Sequence, residues 1–156
     1  MDNICIQDKC KKSFKVVSVN VSDVKGVIKH PVDSIVIDSK GVIGDAHSGD
    51  WHRQISLLAK ESIEKAEAQA GRTFPSGTFA ENITTVGMEL HKLQIQDRIS
   101  CGDILLEVSQ IGKKCHAKCE IGRLIGNCIM PLEGIFCKVI KGGHIEPEDE
   151  FIIREK

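Results

Sequence analysis

The chain has 156 residues, 28% of them charged, and its acids and bases nearly cancel to a formal net charge of -1. That length suits one domain with a real hydrophobic core. The charge balance excludes the broad basic footprint of a nucleic-acid binder, so any anion must be bound by a local cluster. The lead "MDNICIQDKCKKSF" has no apolar run of signal-peptide length, and no segment approaches the roughly 20 apolar residues of a membrane span. A cytoplasmic protein with neither membrane nor nucleic-acid partners is therefore expected. Seven cysteines are an odd number, which in a reducing compartment argues against a complete disulfide framework.

Residues 1–13 read as a polar lead and 14–156 as a single domain. "FKVVSVNVS" alternates apolar and polar positions with the two-residue period of a half-buried strand. "DSIVIDSKGVIGD" gives a strand at Ile35 to Ile37, a turn at Lys40 and Gly41, and a second short apolar run. "RQISLLA" is another strand. "AKESIEKAEAQAG" predicts a helix from near Lys60, with Ile63, Ala66 and Ala70 on one face, Glu61 and Lys65 paired at i,i+4, and Gly71 as the stop. "ENITTVG", "DRISCGD", "ILLEVSQIG", "GIFCKVIKGG" and "EFIIRE" are short β-rich segments broken by turn residues, with Gly142 and Gly143 turning the chain between the last two. Such spacing predicts a mainly β, closed or nearly closed barrel with one or two peripheral helices.

The segment "IGKKCHAKCEIGRLIGNCIM" concentrates the reactive chemistry. Cys115 and Cys119 are spaced C-x3-C, His116 adjoins the first, and Cys128 follows. Together they could ligate zinc or an iron–sulfur cluster. Paired C-x2-C knuckles are absent, so no metal is expected to be required for folding. A reactive thiol instead needs cations that favour the thiolate, and Lys113, Lys114, His116 and Lys118 surround Cys115. Cys101 and Cys137 fall in strand-like runs and read as packing residues. Upstream, "GDAHSGDWHRQ" gathers Asp45, His47, Asp50, His52 and Arg53 after a glycine turn. His47 suits proton transfer near neutral pH and Arg53 suits anchoring an anion, while Asp45 and Asp50 could equally close a polar turn. Trp51, the only tryptophan, serves either packing or covering a ring. "FAENITT" puts Glu81 and Asn82 before a strand, where Asn82 fits a pterin-like edge or a loop-closing bond.

Four motifs in this order, "GVIGDAHSGDWHRQISLL", "GTFAENITTVGMEL", "GDILLEVSQIGKKCHAKC" and "EGIFCKVIKGGHIEPEDEFII", resemble the MOSC domain, the module named after the C-terminal part of molybdenum cofactor sulfurases. The resemblance runs from about Phe14 to Ile153. It implies a barrel-like fold and a sulfur carrier, in which a cysteine takes sulfane sulfur from a cysteine-desulfurase-like donor and passes it to the molybdenum cofactor, a molybdoenzyme or another metal–sulfur centre. The motif cysteine falls on Cys115, and Cys119 or Cys128 would be resolving or metal-binding partners. His47 would assist, and Arg53, Asn82, Glu81 and His116 would frame the site. Larger relatives bind the molybdenum cofactor (molybdopterin) and reduce N-hydroxylated compounds. A cofactor-binding module or reductase is thus a second reading, and a structural zinc or iron–sulfur protein using Cys115, Cys119 and Cys128 is a third.

Overall fold

The structure, a computed structural model, describes residues 12–113 and 128–154. Its strands are β1 (Ser13–Val21), β2 (His30–Val32), β3 (Ile35–Asp38), β4 (Gly41–Val42), β5 (Ile55–Ala59), β6 (Ile83–Val86), β7 (Arg98–Cys101), β8 (Ile104–Ile111), β9 (Ile135–Lys141), β10 (Gly143–Ile145) and β11 (Glu150–Arg154). Two α-helices are described, α1 (Lys60–Ala70) and the single turn α2 (Met130–Glu133). Seven strands close into a barrel in the order β1-β11-β7-β8-β9-β5-β6, and β2 extends from the far end of β1. The predicted mainly β barrel with peripheral helices is the fold observed.

Closure depends on β1 pairing along both edges. Its first residues, Ser13 to Lys15, pair with β11, while Lys15 to Val19 pair with β6. A register shift between Val16 and Ser18 switches which positions face inward. Phe14 and Val16 enter the core before the shift and Val19 after it. An extra residue in one strand reverses the two-residue alternation in this way and bends the strand, as barrel closure requires.

β5 behaves differently, since all five of its residues are buried. Its inner face joins the barrel core. On the outer side Leu58 packs with Ile63, Ala66, Phe74, Phe79, Met130 and Phe136 in a second cluster beneath α1 and α2. The β5–α1–β6 connection makes β5 and β6 a parallel pair, which alternation alone does not reveal. Gly71 ends α1 in the left-handed conformation, its N–H donating to Glu67 O at 2.8 Å.

Three local expectations are corrected. Lys65 does not bond Glu61; it reaches Glu89 and Glu133, while the Glu61 carboxylate accepts from the Gly87 N–H. Tertiary partners outcompete the weak i,i+4 pair. Ser62, not Ala70, joins Ile63 and Ala66 on the buried face of α1. Gly143 is not simply a turn residue, because it opens β10, which pairs with β3 and with it forms a separate sheet, β10-β3-β4.

Gly77 adjoins the segment that leads into β2, its O accepting from Lys29 N at 2.9 Å. With φ at +90° and a hypothetical Cβ only 2.3 Å from Lys29 O, it tolerates no side chain. Gly77→Ala is expected to cost about 2 kcal/mol or more. Gly102, with φ +57° and open space around it, should cost only about 1 kcal/mol when changed to Ala. Thermal denaturation of the two variants checks the contrast.

Candidate functional site

The candidate site forms around the loop from Ile43 to Gln54, which β4 feeds and β5 continues. Gln54 clamps this loop: its Nε2 donates to Ser39 O and Gly49 O at 2.9 and 2.8 Å, and its Oε1 accepts from Val139 N on β9 at 2.8 Å. Ala46 N donates to Ser22 O just past β1. The loop is thus tied to the barrel at Val139 and Ser22 and to the β3–β4 turn at Ser39.

At its centre is a buried ion pair. The Lys29 side chain is 1% exposed, and its Nζ lies 2.7 Å from Asp45 Oδ1. Asp45 also accepts from the backbone N–H groups of Ser22 and His47, at 3.0 Å each. Burial works to raise the Asp45 carboxyl, but the bonds from Lys29, Ser22 and His47 outweigh it and hold the group below its usual range. Lys29 Nζ is also 3.2 Å from His47 Nδ1. Burial first, and then the charges of Lys29, Lys113 and Lys25 against the opposing pull of Asp45, press His47 down to about 4. At that value the imidazole is neutral at pH 7.

Cations and rings line the adjoining surface. Trp51 Nε1 donates to His47 O at 2.8 Å, and the two rings stack with centroids 6.4 Å apart and an interplanar angle of 7°. The Arg53 guanidinium lies 4.7 Å from the Trp51 centroid and 5.6 Å from that of Phe136. Lys113, two residues past β8, sits 5.9 Å from the Phe136 ring, and Lys25 sits 5.5 Å from Trp51. Such cation–ring contacts orient a charge without neutralising it. Arg53 Nε is buried with no hydrogen-bond partner among the described residues. A guanidinium held by ring faces and short of an acceptor is suited to an anion.

The other sequence candidates fall elsewhere. The fully buried Glu81 accepts from the N–H groups of Gly77 and Phe79 and from Thr84 Oγ1; burial pushes its carboxyl up against those bonds. Asn82 accepts from Ser56 N and donates to Asn20 O, joining β1 to β5. Both use their hydrogen bonds inside the fold. His52 points to Gln110, and the exposed Asp50 lies 3.7 Å from Lys40. Cys115, Cys119 and His116 lie outside the described residues. Cys128 is half-buried against the second cluster. Cys137 is fully buried and its thiol is pushed far up; burial, with Asp149, also raises Cys101.

Among the described residues one group has metal-ligating chemistry, Glu89, His91 and Glu133. The Lys65 ammonium already bonds both of its carboxylates. No described helix is long and apolar enough to cross a membrane. Sequence reasoning missed Lys29, since "GVIKHPV" carries no motif around it and nothing local signals burial.

Removing Asp45 leaves the Lys29 ammonium buried without its counter-charge, so Asp45→Ala is expected to cost about 3–5 kcal/mol in chemical denaturation. His47 supplies a pH signature. Its folded value of about 4 lies below the unfolded 6.5, so the unfolded chain protonates first as the pH falls. Its contribution is complete above the unfolded value and is lost as the pH falls toward the folded one. Melting temperature should decline across that window, and His47→Gln should flatten part of the decline.

Comparison with known proteins fits this geometry. The MOSC domain pattern matches residues 44–152, from the start of the site loop into β11. The fold is similar to that of the YUAD protein from Bacillus subtilis, with a TM-score of 0.78, 18% identity, and 94% of this chain and 98% of that one covered. It is also similar to YiiM from Geobacillus stearothermophilus, at TM-score 0.72 and 23% identity over 91% of this chain and 75% of that one. YiiM from Escherichia coli gives 0.70 and 17% identity over 93% and 71%. A search among curated proteins finds no match. With the family pattern spanning most of its length, including the whole loop that carries Asp45, His47 and Arg53, the chain belongs to the MOSC domain family.

Proposed function

We propose that the protein is a cytoplasmic sulfur carrier that holds sulfane sulfur as a persulfide on Cys115. The observation that carries this reading is the position of Lys113. It stands with Arg53 over the Phe136 ring, and Cys115 follows two residues later in the sequence. Lys113 N donates to Pro131 O at 3.1 Å, and Gly112 N donates to Gly134 O at 2.7 Å. The chain thus enters the cysteine segment beside the cations and returns from it at the same place.

In the proposed reaction the Cys115 thiolate attacks the terminal sulfur of a persulfide on a cysteine-desulfurase-like donor. A new S–S bond forms on Cys115, the donor's S–S bond breaks, and the donor cysteine leaves as a thiolate. Neighbouring cations favour both the attacking thiolate and the anionic persulfide product. His47, neutral at pH 7, contributes a polar contact and not a charge. The sulfur then passes to a molybdenum cofactor or molybdoenzyme acceptor. Alternatively Cys119 or Cys128 attacks the Cys115 sulfur, which releases sulfide and leaves a disulfide.

A second reading, a molybdenum cofactor binding module or reductase, is favoured by the unpartnered Arg53 Nε. An anionic group of the cofactor would fit there, held by Arg53, Lys113 and His47, and the bound cofactor would supply the redox centre. Under this reading a phosphorylated pterin changes the fluorescence of Trp51, the only tryptophan, and Arg53→Ala abolishes the change.

The carrier reading is checked by mass spectrometry after incubation with a desulfurase and cysteine. A gain of one sulfur atom is expected in the wild type and in Cys119→Ser and Cys128→Ser, and none in Cys115→Ser. Cys115 should also alkylate fastest of the seven cysteines, and Lys113→Ala should slow it roughly threefold at neutral pH by weakening the thiolate. Undiminished persulfide loading in folded Cys115→Ser would discard the assignment.

A further inference from the structure

A lysine ammonium has three hydrogens and no lone pair, so every hydrogen bond it makes is a donation. Lys29 Nζ lies 2.7 Å from Asp45 Oδ1 and 3.2 Å from His47 Nδ1, in a setting that leaves the lysine 1% exposed. Asp45 is committed in turn, one oxygen to Lys29 and Ser22 N and the other to His47 N. His47 Nδ1 is therefore met by a donor and must itself accept. In a neutral imidazole the single proton then resides on Nε2. The carboxylate that could have claimed an Nδ1 proton, Asp45 Oδ2, stands 3.8 Å away, beyond hydrogen-bond reach.

We propose that Lys29 is a positioning residue: pinned by Asp45, its ammonium donates to His47 Nδ1, holds the ring in the Nε2–H form, and makes His47 a fixed neutral donor at the site. The Trp51 bond to His47 O and the stacked indole fix the ring plane, so the Nε2–H direction is set as well. No described residue accepts from Nε2. The donor is free for an anion at the site, which in the carrier reading is the persulfide or its acceptor. This functional consequence rests on that reading, whereas the tautomer itself does not.

The charges facing His47 come from several elements. Asp45 shares its loop, Lys29 precedes β2, Lys25 lies between β1 and β2, and Lys113 follows β8, with Arg53 on the Trp51 ring. Of these, Lys29 alone bonds the imidazole, so removing it should alter both the tautomer and the titration.

The experiment is nitrogen-15 NMR of the histidine rings across pH in the full chain, comparing the wild type with Lys29→Met/Asp45→Asn. The double variant removes both members of the ion pair and leaves no buried charge uncompensated. In the wild type, His47 is expected to show protonated Nε2 and unprotonated Nδ1 throughout neutral pH. In the folded double variant its titration midpoint should rise by about one pH unit or more, toward that of a free histidine. A wild-type ring protonated on Nδ1 overturns the inference. So does a folded double variant whose midpoint moves by less than about half a unit. Persulfide loading, read by mass on the same samples, separates the two proposals: the expected tautomer without loading sustains this inference and ends the carrier reading, while the wrong tautomer with loading does the reverse.

Discussion

Moving a lysine ammonium from water into a protein interior costs several kcal/mol, and Lys29 is among the largest fully buried side chains. Asp45, 2.7 Å away, makes that burial tolerable. The pair joins a segment leading into β2 to a loop leaving β4, and Asp45 reaches back to Ser22 at the end of β1. Once these elements are joined, the loop has little freedom, and His47, Trp51 and Arg53 take their places relative to one another. Hydrophobic contacts close the barrel below, but this polar link decides how its rim is arranged.

The same link shapes the electrostatics. Asp45 is the only carboxylate bonded to the Lys29 side chain among the described residues, and its oxygens are already engaged. Arg53, Lys113 and Lys25 are held by the faces of Trp51 and Phe136 instead of by acids. An aromatic face attracts a cation but leaves its charge available to a further partner. In this way a chain with a net charge of -1 builds a locally positive surface. A thiolate, a persulfide anion and a phosphate all benefit from such a surface, which is why the carrier and cofactor readings draw on the same residues.

The cysteines divide by their surroundings. Cys137 faces Ile55 across the β5–β9 pair and is fully buried, so its thiol is held protonated and out of reach of reagents. Cys101 is half-buried near Asp149 and Glu150, whose charges oppose a thiolate. Neither environment activates sulfur. Lys113, two residues past β8, stands by contrast beside the Phe136 ring with Arg53.

Much of this protein follows from short-range signals. Alternation in Phe14 to Val21 and in Ile104 to Ile111, the apolar run of Ile55 to Ala59, and Gly71 after an amphipathic stretch identify strands and a helix, because each residue's burial is set by a repeat a few residues long. The loop motif likewise draws attention to Asp45, His47 and Arg53, and the family pattern spans that loop. Tertiary structure alone decided the parallel pairing of β5 with β6, the separate β10-β3-β4 sheet, and the internal roles of Glu81 and Asn82. It also decided that Lys29 is buried. Lys29 and Asp45 are 16 residues apart and meet only when β1, β2 and β4 are assembled, and a hydrogen bond between side chains so placed leaves no periodic trace in the sequence. The neutral state of His47 depends on that meeting, since desolvation and the field of Lys29 exist only in the folded chain.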